Sequence, residues 1–192
     1  MEIKDKFTSQ VLLIDAGYID RVATDLRRHF STHIGRPLPP VDLSVLLECL
    51  ALDAGFHKEG SKLQVIFLYE DNAKVLKNCT PASLDTALNN VAFQGKYSEF
   101  LLSSFPTNDL VGIESLYQDM LQVIANAAEV KELLIIPHEQ QYLPYLWTDI
   151  EQIAKDKKVI LFGMNPPTEQ QVSFEMLGFS VLRALGVSPS EI

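Results

Sequence analysis

LLIIPHEQQYLPYL, residues 133–146, decides how this chain folds. Leu133 to Ile136 form a run of aliphatic residues, the pattern of a strand buried on both faces. Pro137 stops such a strand, because it has no N–H to give to a ladder. His138, Glu139, Gln140 and Gln141 follow, and an apolar helical pattern begins at Tyr142. Strand, short polar turn and helix make the repeating unit of an open parallel sheet. The turn is where such sheets place ligands and metals. A solvated turn with no further role has the same composition.

The alternation extends in both directions. QVLLIDAG (10–17) reads as a buried strand ending at Asp15. Residues 18–35 carry apolar side chains at 19, 22, 23, 26 and 30, a helical spacing with Gly35 as its stop. RPLPP (36–40) is a rigid connector, and Asp42 can cap a helix to about Ala54. LQVIFLYED (63–71) is a second buried strand with Glu70 and Asp71 at its end. Thr80-Pro81 is predicted to open a helix through about Ala92, with Pro81 in the first turn. YSEFLLSSF (97–105) is a third strand, and Thr107 or Asn108 caps a long helix through about Ala127. KELLIIP (131–137) and KKVILFGM (157–164) are the fourth and fifth strands, with a helix from Leu143 to Ala154 between them. Residues 169–178 are predicted helical, and FSVLRALGV (179–187) fits strand or helix.

Composition sets bounds on function. A chain of 192 residues suits one domain with a substantial core. Its 47% apolar and 21% charged residues are ordinary for a soluble globular protein. No apolar run reaches roughly 18 residues, so no membrane span is expected. Cys49 and Cys79 lack metal-ligand spacing and read as free thiols, which suits a cytoplasmic location. The net charge of −9 argues against nonspecific gripping of nucleic acid, since phosphate binding needs a basic face. The clearest basic cluster is Arg27, Arg28 and His29, with Arg36 beyond. Neither a P-loop nor a GxGxxG motif occurs, which weakens nucleotide-cofactor readings.

A parallel sheet collects the C-terminal ends of its strands on one edge. Asp15, Glu70, Asp71 and Glu139 therefore gather there. Carboxylates brought together repel unless they are protonated or share a cation. Mg²⁺ prefers such oxygen ligands and could activate water against a phosphodiester. Strand-end acids in α/β proteins are also commonly just solvated termini.

Three stretches carry a family resemblance. VLLIDAGYID (11–20) resembles the opening strand of the NYN branch of PIN-like nucleases, with its metal-binding Asp followed three residues later by Asn. IPHEQQYLPYL (136–146) is similar to that family's Ser-Gly-Asp-Ser-Asp-Phe segment and the apolar helix after it. Between them, GIESLYQDML (112–121) resembles the Gly-Val-Asp helix ending in Asp-Met-Leu. KKVILFG resembles the usual next strand, so the likeness covers about residues 10–164, and 165–192 is a C-terminal extension of the same domain.

The resemblance implies a three-layer α/β domain over 1–192, with a mainly parallel central sheet of about five strands. It implies Mg²⁺ or Mn²⁺ held by Asp15, Glu114 and Glu139 as the catalytic set of a ribonuclease acting on single-stranded or structured RNA. Asp119, Glu70, Tyr18, His138 and Gln141 would be accessory. The departures weaken that set. Tyr18 stands where the family has Asn, Pro137-His138 replaces Ser-Gly, Glu139 replaces the first Asp and Gln141 the second. Glu114 and Asp119 are five residues apart, about 140° around a helix, so one metal cannot easily draw on both. Two readings stand: a ribonuclease-related domain with a weakened or lost site, or a non-catalytic module that binds protein or RNA as a homodimer. His29 and His33, four apart on a helix, have a zinc-compatible spacing without an evident third ligand. Tyr142, Tyr145 and Trp147 could stack on bases or be core and interface residues.

Overall fold

The computed structural model of the chain describes residues 7–56, 60–168 and 172–191. In chain order its elements are β1 (Gln10–Asp15), α1 (Ala16–Ile34), β2 (Val41–Asp42), α2 (Leu43–Asp53), β3 (Ser61–Tyr69), β4 (Cys79–Thr80), β5 (Val91–Gln94), β6 (Ser98–Pro106), α3 (Ile113–Asn126), β7 (Glu132–Ile136), α4 (Leu143–Ile153), β8 (Lys158–Gly163), β9 (Ser173–Met176) and α5 (Leu177–Ala184). Seven strands form one sheet in the order β5-β6-β3-β1-β7-β8-β9, and β2 and β4 make a separate short ribbon. Every neighbouring pair of the large sheet is parallel except β5 with β6. Numbered along the chain, the six parallel strands lie in the order 3-2-1-4-5-6, that of a doubly wound sheet. Winding reverses between β1 and β7, so a crevice opens beyond their C-terminal ends.

Alternation of side chains along each strand builds two cores. Leu12, Ile14, Leu134, Ile136 and Phe162 pack with Ile19 and Val22 of α1, Leu46 of α2 and Val181 of α5. Val11, Leu13, Leu133, Ile135 and Leu161 pack with Tyr117 and Leu121 of α3 and Leu146 and Ile150 of α4. The central strands are therefore apolar on both faces, which produces the unbroken aliphatic runs. Two helix ends follow their local chemistry. Asp42 accepts from the Ser44 and Val45 amides to cap α2. Gly35 ends α1 at φ 77°, its N–H donating to the Ser31 carbonyl. No helix of the described residues is long and apolar enough to cross a membrane.

Four expectations need correction. The sheet is wider than five strands. No helix spans 80–92. Leu84 and Leu88 are buried at helical spacing, which accounts for the misreading. The chain instead makes turns in which the Ser83 carbonyl accepts from the Ala87 and Leu88 amides, while the Ser83 hydroxyl meets Asp85 and Thr86. Short polar side chains that bond locally compete with helix. Asn90, at φ 55°, then leads into β5, which pairs with the edge of β6. The helix expected at 169–178 is a strand over Ser173–Met176, paired with β8, and α5 begins only at Leu177; residues 169–171 lie outside the described residues. The ambiguous segment after 179 is helical through Ala184. The long helix also starts later than 107 or 108. Asn108 caps a turn instead, accepting from the Leu110 and Val111 amides, and α3 begins at Ile113.

Candidate functional site

β1 ends in Asp15, whose extended backbone makes it the N-cap of α1. Its Oδ1 accepts from the Tyr18 amide at 2.9 Å. Its Oδ2 accepts from the Tyr142 hydroxyl at 2.6 Å. The aspartate is 4% exposed and Tyr142 is fully buried. Tyr117, also fully buried, lies 5.4 Å from Tyr142 between ring centroids and donates its hydroxyl to the Leu13 carbonyl. Burial pushes the Asp15 carboxyl above the usual carboxylate range, and the Tyr142 and Tyr18 hydrogen bonds work in the opposite direction. Burial, followed by the nearby Asp15 charge, pushes the Tyr142 phenol far up, so it remains a donor.

His138 covers the mouth of this junction. Its ring sits 4.9 Å from Tyr18 and 6.2 Å from Tyr142. Nδ1 accepts from the Gln141 amide at 3.3 Å, and Nε2 lies 3.4 Å from Nη1 of Arg21. Burial lowers the imidazole pKa; Asp15 opposes this and Arg21 adds to it. The Tyr18 hydroxyl is buried near the Glu139 carboxylate without a well-formed hydrogen bond, and its pKa is raised by burial and then by the Glu139 charge.

Glu139, close enough to Tyr18 and His138 to act on both, binds the end of β8. Its Oε1 accepts from the amides of Met164 and Asn165, the latter at 3.0 Å, and Oε2 from Asn165 Nδ2 at 3.0 Å. A carboxylate satisfied by backbone amides ties the β7–α4 turn to the loop after β8. Gly163 makes room for it, since a Cβ there would collide with Glu139 Oε1.

The other candidate residues are dispersed. Glu114 is exposed in the first turn of α3, and Asp119 is exposed further along it. Glu70 is exposed just past β3, and its neighbour Asp71 pairs with Lys74 at 3.0 Å. Gln141 is exposed and takes part through its amide. His29 and His33 are exposed with rings 6.5 Å apart. Among the described residues, no group of three or more His, Cys, Asp or Glu side chains could hold a metal ion, so Asp15, Glu114 and Glu139 are not assembled as one. Asp15 is 4% exposed, Glu139 is tied to the loop after β8 and Glu114 lies out on α3, so among the described residues this set does not fit Mg²⁺ or Mn²⁺.

The basic cluster makes pairs within the chain, Arg28 and Arg36 doing so at the surface. Arg27 donates to the Leu38 carbonyl and to Asn78, Arg28 pairs with Asp25 at 2.9 Å, and Arg36 pairs with Glu191. The sequence gives little sign of the tyrosine cage, because Tyr142 meets Asp15 across 127 positions. A second feature was closer to legible. Trp147 and Glu151, one turn apart on α4, line a groove of about 550 Å³ whose other wall is Asn165 to Thr168.

The described residues thus define a doubly wound α/β domain whose strand-end carboxylate is closed off by tyrosines. The chain matches DUF6621, a family of unknown function, over residues 4–192, and belongs to it. No curated protein and no solved structure matches it.

Proposed function

We propose that the chain is a PIN-like domain of the NYN branch that has given up metal-dependent RNA cleavage and serves as a protein-interaction module. The observation that carries this reading is Asp15. It stands at the end of β1, where the family resemblance puts a metal ligand. Here it caps a helix with one oxygen and holds a buried phenol with the other. A carboxylate so buried, with each oxygen already bonded, serves the junction and is poorly placed to meet a hydrated cation. The doubly wound sheet and the order of the three resembling stretches support the PIN-like part of the reading. The net charge of −9 favours protein over RNA as the partner, since phosphate recognition needs a basic face.

The test combines two measurements on the purified protein. Single-stranded RNA incubated with Mn²⁺ or Mg²⁺ should stay intact. The melting temperature should not move with Mn²⁺, in the wild type or in Asp15→Asn, because a cation stabilises only the state that binds it. A Mn²⁺-dependent rise in the wild type that is lost in Asp15→Asn, with RNA cleavage stopped by chelator, overturns the proposal.

A further inference from the structure

A groove of about 550 Å³ between α4 and the loop after β8 is left unused by the Asp15 junction. Its described lining includes Glu139, Leu143, Trp147, Glu151, Pro166 and Pro167. None of the described residues that line it is Lys or Arg. Trp147 and Glu151 are four residues apart and so share one face of α4. The indole is half-buried, with its inner part packed on the core that α4 covers. Among the described residues, no ion pair engages Glu151. Glu139 adds negative charge at the groove's inner end, although its oxygens are held by amides.

We infer that this groove binds an arginine-bearing segment of a partner protein, with the guanidinium over the Trp147 ring and paired to Glu151. A planar, weakly hydrated cation suits an aromatic face beside a carboxylate. Pro166 and Pro167 supply a preformed wall for the segment's apolar stem. The same charges repel phosphate, so RNA is the disfavoured occupant. This inference rests on the interaction-module reading and names the chemistry of its partner.

Trp147 is the single tryptophan of the chain, so its fluorescence reports on the groove directly. The full-length protein, in metal-free buffer, is titrated with an acetylated tetra-arginine peptide and separately with poly(U) RNA. The expected result is a saturable, salt-sensitive change in emission with the peptide and none with poly(U). Glu151→Gln should weaken the peptide response by about fivefold. Glu129→Gln removes the same charge from an exposed position just before β7, at the opposite edge of the sheet, and should leave the response unchanged. Equal weakening by both variants would mean attraction to net charge alone and overturns the inference. So does the absence of a peptide response, or a response to poly(U) in its place. If the peptide fails while RNA stays uncut, only the groove assignment falls. Chelator-sensitive RNA cleavage removes the underlying reading whatever the peptide does.

Discussion

Two carboxylates, Asp15 at the end of β1 and Glu151 near the end of α4, have opposite surroundings. Asp15 is sealed, with each oxygen paired to a group inside the fold. Glu151, on α4, lines an open groove and meets no ion-pair partner among the described residues. Glu139 lies between them, half-buried and held by backbone amides of the next loop. A strand-end acid is thus not a site by position alone. What decides its chemistry is whether its lone pairs are already engaged. A sealed acid fixes the meeting of strand and helix, whereas an open one can meet a partner.

The largest effect should come from the sheet that carries both regions. Ile135 is fully buried in β7, and Ile135→Asp would place an unpaired charge in the core. Soluble folded protein should be lost. If the variant expresses and melts like the wild type, the core assignment fails and the comparison loses its frame.

Tyr142→Phe attacks the sealed acid alone. It removes one donor from a buried carboxylate and should cost about 1.5–3 kcal/mol at neutral pH, read by urea denaturation. The pH dependence sharpens the test. The folded-state pKa of Asp15 is already raised by burial, and loss of the phenol raises it further. A raised carboxyl pKa means that stability is fully present below the unfolded value and falls as pH rises through the folded one. The deficit of Tyr142→Phe against wild type should therefore be larger at pH 7 than at pH 4. An equal deficit at both values would show that the hydroxyl acts by packing and not on the charge.

Gly163→Ala tests the link between the two regions. The new methyl would occupy the place of Glu139 Oε1 and force the carboxylate off the Met164 and Asn165 amides. A loss of about 1–2 kcal/mol is expected, together with a change in Trp147 emission as the groove wall shifts. Unchanged stability would mean that the loop after β8 does not depend on Glu139.

Asp15→Asn should have the smallest effect, and of opposite sign. Asparagine still caps α1 and keeps the shape of the side chain, while the buried charge disappears. Burial is the largest influence on the Asp15 pKa and disfavours the charged form, so the melting temperature at pH 7 should be slightly higher in the variant. Its stability should also vary less between pH 4 and 7. A lower melting temperature would show that the ionised carboxylate makes a net favourable contribution to the junction.

Much of this architecture is legible along the chain because it rests on local rules. Aliphatic runs such as Leu133–Ile136, short and bounded by Pro137 and a polar turn, read as strands covered on both faces. Asp42 and Gly35 mark helix ends by chemistry that needs no distant partner. Asp15 and Glu139 fall at strand ends because a parallel sheet puts them there. Those readings follow from periodicity, capping and the geometry of crossovers. The tertiary structure decided the rest. Leu84 and Leu88 keep helical spacing, yet pairing of β5 with β6 and local bonds around Ser83 win over helix. Ser173–Met176 becomes a strand because β8 offers it an edge. The fate of Asp15 was beyond sequence pattern altogether. A carboxylate's chemistry depends on which donor reaches its oxygens, and here that donor is the hydroxyl of Tyr142, brought 2.6 Å away by a fold that joins β1 to the start of α4.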